Sequence, residues 1–135
     1  MSSMLNHLQI NVAGANLPFY KDLFAQLKWQ LIHDSPDMLG LLDENGASLW
    51  FAAKQGGSAA DYDGIGVNHI ALGVSDQSAV DEMVSYLKER NIASLFETPR
   101  HRPEFAASED QTYYQVMFES PDKLLFEVVY MGPKS

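Results

Sequence analysis

The chain contains no cysteine. That excludes a disulfide framework, a thiolate nucleophile and thiolate metal ligands. It is also poor in positive charge, with 9 Lys and Arg against 18 Asp and Glu and a net charge of −9. So acidic a surface repels phosphate backbones and anionic lipid, so neither nucleic acid nor a membrane surface is an expected partner. No apolar run approaches the roughly 18 residues a membrane-spanning helix needs. Met1-Ser2-Ser3-Met4 leads into the first apolar pattern without a charged-then-apolar leader, so a cytoplasmic location is expected. What remains is the composition of a folded protein, 46% hydrophobic and 20% charged, in 135 residues. That length suits one domain, residues 1–135, with a sizeable core.

What the chain does have is a repeat. Leu5-Asn6-His7-Leu8-Gln9-Ile10-Asn11-Val12 returns as Val67-Asn68-His69-Ile70-Ala71-Leu72-Gly73-Val74, the two histidines lying 62 residues apart. Each copy alternates at period two and reads as a strand with one packed face. A helical pattern follows each: Tyr20, Leu23, Phe24 and Leu27 in the first half, Val80, Met83, Val84 and Leu87 in the second. A strand–helix unit repeated in register points to a duplicated fold with two equivalent histidines.

The remaining elements fall in the same order in both halves. In the first, Asn16 and Pro18 start a helix ending near Trp29. Strands follow at Trp29–His33, Met38–Leu42 and Ser48–Ala53, with a turn at Asp43-Glu44-Asn45-Gly46. Polar residues 55–61 connect the halves. In the second, Ser78 with Asp81 makes a capping-box-like start to a helix reaching about Arg90. Strands are expected at Ile92–Phe96, Tyr113–Glu119 and Leu124–Tyr130, with a long loop over 97–112. The prediction is an α+β fold of two βαβββ repeats, about residues 5–54 and 66–131.

Strand parity selects candidate ligands. Leu8, Ile10 and Val12 share the face suited to a helix, which leaves His7, Gln9 and Asn11 opposite. By the same count His69 stands opposite Ile70, Leu72 and Val74. In the last strand Glu127 is flanked by Leu124, Leu125, Phe126, Val128, Val129 and Tyr130. A carboxylate in such a strand is costly unless paired or bound to a cation. Two imidazoles and one carboxylate with open positions suit Fe(II), Mn(II), Zn(II) or Ni(II).

The double βαβββ pattern resembles the vicinal oxygen chelate superfamily, which includes glyoxalase I, extradiol dioxygenases, fosfomycin-resistance enzymes and bleomycin-resistance proteins. The resemblance is carried by Leu5–Val12, Phe19-Tyr20-Lys21-Asp22-Leu23, Val67–Val74 and Tyr113–Val129. Residues 114–129 are similar to the family's strand, Asp-Pro-Asp turn and ligand-bearing strand, with Ser120 for the first Asp and Lys123 for the usual Gly. The resemblance implies a curved mixed sheet with the helices outside. It implies His7, His69 and Glu127 as ligands of a divalent metal, and a small-molecule substrate held through vicinal oxygens. Glyoxalase I adds a glutamate on the fourth strand, but Ser48–Ala53 offers no carboxylate. A three-ligand site is therefore expected, as in extradiol dioxygenases and fosfomycin-resistance enzymes, although Gln9 replaces the threonine of the latter. A metal-dependent dioxygenase is the first expectation. A glyoxalase-type lyase or isomerase and a metal-free bleomycin-type binding protein are the alternatives. The family also implies a homodimer, with His7 from one chain and His69 and Glu127 from the other, or else a single chain closing its own site.

Further residues are assigned by position. Tyr113, Gln115 and Met117 are expected on the cavity side of their strand, with Tyr114, Val116 and Phe118 packing outward. Arg100, His101 and Arg102 form the one dense basic cluster, suited to an anionic substrate or to balancing nearby acids. His101 is the single candidate for an acid–base histidine. Gln9 belongs to the cavity face, Trp50 either walls the cavity or fills the core, and His33 reads as a turn residue.

Overall fold

A computed structural model describes residues 1–135, which divide into two compact units, Met1–Ser58 and Ala59–Ser135. The first unit runs β1 (His7–Ala13), α1 (Leu17–Gln26), β2 (Gln30–Ser35), β3 (Met38–Leu42) and β4 (Ser48–Lys54). Its sheet has the order β1-β4-β3-β2, with β1 parallel to β4 and the other pairs antiparallel. The second unit runs β5 (Ile70–Val74), α2 (Gln77–Glu89), β6 (Leu95–His101), β7 (Gln111–Glu119) and β8 (Leu125–Pro133). Its sheet, β5-β8-β7-β6, repeats the same pattern of pairing. Each unit is therefore βαβββ, as the repeat predicts. No helix is long and apolar enough to cross a membrane.

Each helix covers one face of its own sheet. Leu17, Tyr20, Leu23 and Phe24 form the buried stripe of α1, and the Tyr20 ring stacks on Phe51 of β4 with centroids 4.3 Å apart. Val80, Met83, Val84, Tyr86 and Leu87 do the same for α2, over a sheet that buries Val116, Phe118, Phe126 and Val128 completely. Both helices close with the same device. The Lys28 and Trp29 amides bond back to Ala25 and Phe24, and those of Asn91 and Ile92 to Lys88 and Leu87. Lys28 (φ 62°) and Asn91 (φ 57°) take the left-handed conformation this closure requires. That closure stops α1 at Gln26, short of the expected Trp29.

Three further boundaries differ from the sequence reading. The cap of α2 is Asp76, whose carboxylate accepts from the Ala79 amide and the Ser78 hydroxyl; Ser78 is a donor to the cap. β5 starts at Ile70, so His69 stands immediately before it. The long 97–112 loop is mostly structure. β6 extends through His101, a single turn of 3-10 helix spans Pro103–Phe105, and β7 begins at Gln111. Phe96 (φ 56°) and Glu97 (φ 60°) interrupt β6, and its register with β7 shifts between Leu95 and Arg100. A bulged strand loses the period-two pattern by which a sequence announces it.

Candidate metal and substrate site

Pairing register decides which side chains share the helix-free face of the second sheet. Glu127 lies opposite Met117 on β7 and Ala71 on β5; Gln115 lies opposite Arg100 on β6. Partners in register project to the same side, so Glu127, Met117, Ala71, Gln115 and Arg100 belong to one face. Ala71 and Gly73 keep the β5 row low. A Cβ on Gly73 would meet nothing within 4 Å, so the face opens beside Glu127.

Glu127 is 1% exposed, and each of its oxygens has a partner. Oε2 accepts from the Tyr113 hydroxyl at 2.8 Å and from the Gln115 amide. Oε1 faces His69 Nε2 at 3.3 Å. Behind this pair, Arg102 Nη1 donates to Gln115 Oε1 at 3.2 Å, Arg102 Nε binds Glu104, and the guanidinium lies over Phe105, 4.8 Å from its centroid. Phe105 in turn packs edge-on against Tyr113. A chain of contacts thus runs from Arg102 through Gln115 to Glu127 and His69.

The orientation of His69 has its own cause. Asn68 Nδ2 donates to the Tyr62 carbonyl at 2.8 Å, which turns Oδ1 toward the histidine. Oδ1 can only accept, so His69 Nδ1, 2.8 Å away, is the donor, and Nε2 is the ring nitrogen turned to Glu127. His7 makes the same contact with Asn6 Oδ1, at 2.6 Å. Both histidines of the repeat have Nδ1 held by the asparagine before them, the kind of second contact that orients metal-binding imidazoles. The recurrence of Asn-His at the 62-residue offset is the sequence signal of this pairing.

The donors of the second unit suit a cation. Two ligand atoms about 2.1 Å from one ion at right angles stand about 3.0 Å apart, and at tetrahedral angles about 3.4 Å. The 3.3 Å between Glu127 Oε1 and His69 Nε2 falls within that span. His7 stands at the start of β1 in the first unit, and no group of three or more His, Cys, Asp or Glu side chains is gathered in the chain.

Other expected site residues are placed as follows. Tyr113, Gln115, Met117 and Arg102 are at the Glu127 cluster or on its face. Gln9 lies opposite Trp50 on the first sheet, on the same face as His7. By register, Trp50 of β4 occupies the position in its unit that Glu127 occupies on β8, since Gln9 corresponds to Ala71. Its ring covers Gly40, where a Cβ would come within 2.6 Å of it, and lies 5.9 Å from that of His33. Trp50 therefore lines the helix-free face and does not fill the helix-packed core. His101 is brought to neither cluster. It pairs with Tyr114 on the helix side of the second sheet and bonds Thr112 Oγ1 at 2.5 Å. Tyr114 reaches Asp81 of α2 at 2.7 Å.

Burial, then the hydrogen bond to Glu127 and the charge of that carboxylate, push the Tyr113 hydroxyl from 10.0 up to about 12. Burial and Asp81 do the same for Tyr114. Both protons are held more tightly in the folded protein than in the unfolded chain. The resulting stabilisation is complete below pH 10 and is lost as pH rises through 12. Urea unfolding between pH 9 and pH 11.5 should show stability falling, with a shallower fall in Tyr113→Phe; identical slopes would separate Tyr113 from the effect.

No family sequence model matches the chain, and no curated protein matches it in sequence. Solved structures do. A candidate glyoxalase from Bacillus halodurans shares 25% identity at a TM-score of 0.75, covering 94% of this chain and 95% of that one. A glyoxalase/dioxygenase from Nostoc punctiforme shares 19% at a TM-score of 0.75, covering 97% and 92%. Lactoylglutathione lyase from Agrobacterium tumefaciens shares 19% at a TM-score of 0.65, covering 96% and 94%. With the same βαβββ order in each unit and these likenesses over nearly its full length, the chain has the fold of the glyoxalase, bleomycin-resistance and dioxygenase proteins, consistent with the vicinal oxygen chelate superfamily.

Proposed function

We propose that the chain is a divalent-metal-dependent enzyme that holds a small substrate through two vicinal oxygens, with dioxygenase-type chemistry ahead of a glyoxalase-type lyase or isomerase. The observation that carries the reading is Glu127. Glu127 is 1% exposed, its Oε2 is held by Tyr113 and Gln115, and its Oε1 faces His69 Nε2 at 3.3 Å. In this reading Glu127 and His69 hold the ion, and His7 of a second copy in a homodimer completes the set. A bound cation of this kind supplies Lewis acidity to the substrate oxygens. The preference within the superfamily rests on Trp50, which stands where a second carboxylate ligand would be needed. Tyr113 keeps its proton at neutral pH and acts as a fixed donor to Glu127. Gln9, Trp50 and Met117 serve as lining, and His101, on the far side of its sheet, has no role at the ion.

Protein purified without a His-tag and incubated with Fe(II), Mn(II), Zn(II) or Ni(II) should retain about one ion per chain by elemental mass spectrometry after desalting. Retention of none would overturn the metal reading in favour of a metal-free binding protein.

A further inference from the structure

We infer that Arg100 is the anion-recognition residue of this site, and that the substrate carries a carboxylate beside its chelating oxygens; this rests on the reading just proposed. The two arginines of the basic cluster differ in what they have left to give. Arg102 is spent: Nη1 is bonded to Gln115, Nε to Glu104, and its plane is stacked on Phe105. Its work is to hold Gln115 against Glu127. Arg100 is held only by Glu97, through Nη1 at 3.5 Å, and the Glu97 side chain is 88% exposed. Arg100 Nε is buried with no hydrogen-bond partner, the one such side-chain atom in the protein. A buried donor left unsatisfied is a cost that native structures rarely carry without a use.

Position supplies the use. Arg100 pairs with Gln115, whose amide donates to Glu127, so it belongs to the face on which Glu127 and His69 meet. β6 and β8 are separated only by β7, and two strand spacings are about 10 Å. An ion held at Glu127 and an oxyanion held at Arg100 are thus one small molecule apart. The Arg100 side chain remains 39% exposed, so the head can turn. Glu97 engages only Nη1, so that turn brings out the Nε–Nη2 edge, whose two parallel N–H groups match a carboxylate. In a protein of net charge −9, such a local cation also selects against neutral competitors.

The test compares 3,4-dihydroxybenzoate with catechol, which share vicinal oxygens and differ by the carboxylate, on protein with and without Zn(II). The wild type should bind the acid at least about tenfold more tightly than catechol. The acid alone should shift the Arg100 Nε–H resonance, with or without Zn(II). In Arg100→Gln the preference should fall to within about twofold while catechol affinity holds, and Arg100→Lys should keep part of it. Absence of carboxylate-dependent binding to the wild type, or a preference that survives in Arg100→Gln, overturns the inference. Failure of the metal reading shows separately, as Zn(II) improving the affinity of neither compound. The resonance shift is read on unmodified protein, so a folding defect in the variants does not blunt it.

Discussion

Glu127→Gln should lower divalent-cation affinity by more than about a hundredfold, since even residues that only orient metal ligands are worth about 10–100-fold. The substitution keeps the shape and leaves an oxygen for the Tyr113 hydroxyl. It removes the negative charge that offsets the cation and the oxygen that faces His69 Nε2 at 3.3 Å. His7→Ala and His69→Ala should act in the same direction. His33→Ala and His101→Ala should leave the ion alone; His101 bonds Thr112 on the other side of its sheet. Calorimetric titration with Zn(II) or Mn(II) compares all five. The metal-free alternative predicts the opposite pair of results: unchanged affinity, and a more stable protein, because a buried charge has been removed. Tyr113 provides an internal control. Its hydroxyl, at about 12, should titrate lower once the Glu127 charge is gone, but not as low as 10.0, because burial is the largest cause of its shift. Equal metal affinity in wild type and the three ligand variants would reject the site.

The sequence carries the architecture because the packed faces repeat at the right periods. Val12 and Leu49 sit between exposed or half-exposed neighbours, and Tyr20, Leu23 and Phe24 recur at helical spacing. Met38–Leu42 is bounded by turn residues and was legible to the residue. β6 was not, because its bulge places Phe96 and Glu97 in the left-handed region and breaks the alternation just where charged residues and two prolines suggest a loop.

The same division holds at the site. Glu127 is legible because a lone carboxylate in an apolar strand demands a partner, and Tyr113 and Gln115 follow from parity along β7. Their convergence on Glu127 Oε2 is a cross-strand fact. So is the equivalence of Trp50 and Glu127. The two histidines are offset by 62 residues but Trp50 and Glu127 by 77, since the second unit has a longer β6–β7 stretch. No single offset aligns both pairs, and only the parallel ladders β1/β4 and β5/β8 reveal the correspondence. Asn6 and Asn68 were hidden for a different reason: a polar residue at the start of a strand reads as punctuation until its carbonyl oxygen is seen against Nδ1.

Phe51→Ala should be the most damaging single change to stability, costing about 3–5 kcal/mol, a large share of the roughly 5–15 kcal/mol that holds a domain folded. Phe51 is fully buried and sits where three elements meet. Its ring stacks on Tyr20 at 4.3 Å and 16°, lies 5.7 Å from Phe24, and its backbone is in register with Ile10 on β1 and Leu39 on β3. Truncation opens a cavity among rigid rings that cannot close over it, and leaves the stacked face of Tyr20 without a partner. Phe96→Ala, at a side chain 49% exposed, is the control and should cost less than about 0.5 kcal/mol. Phe51→Leu should fall between the two. Urea unfolding with a common m-value decides. A loss below about 1 kcal/mol for Phe51→Ala would mean that α1 does not pack on β4 as described. The consequence reaches the start of β1 as well, because β4 is the strand that pairs with it. His7 is in register with Ser48 at the open end of that ladder, with the Ser48 amide bonded to the Asn6 carbonyl at 3.0 Å. Loosening the Phe51 anchor three residues along frees that end, so Phe51→Ala should also weaken the Ser48–Asn6 bond that holds the start of β1.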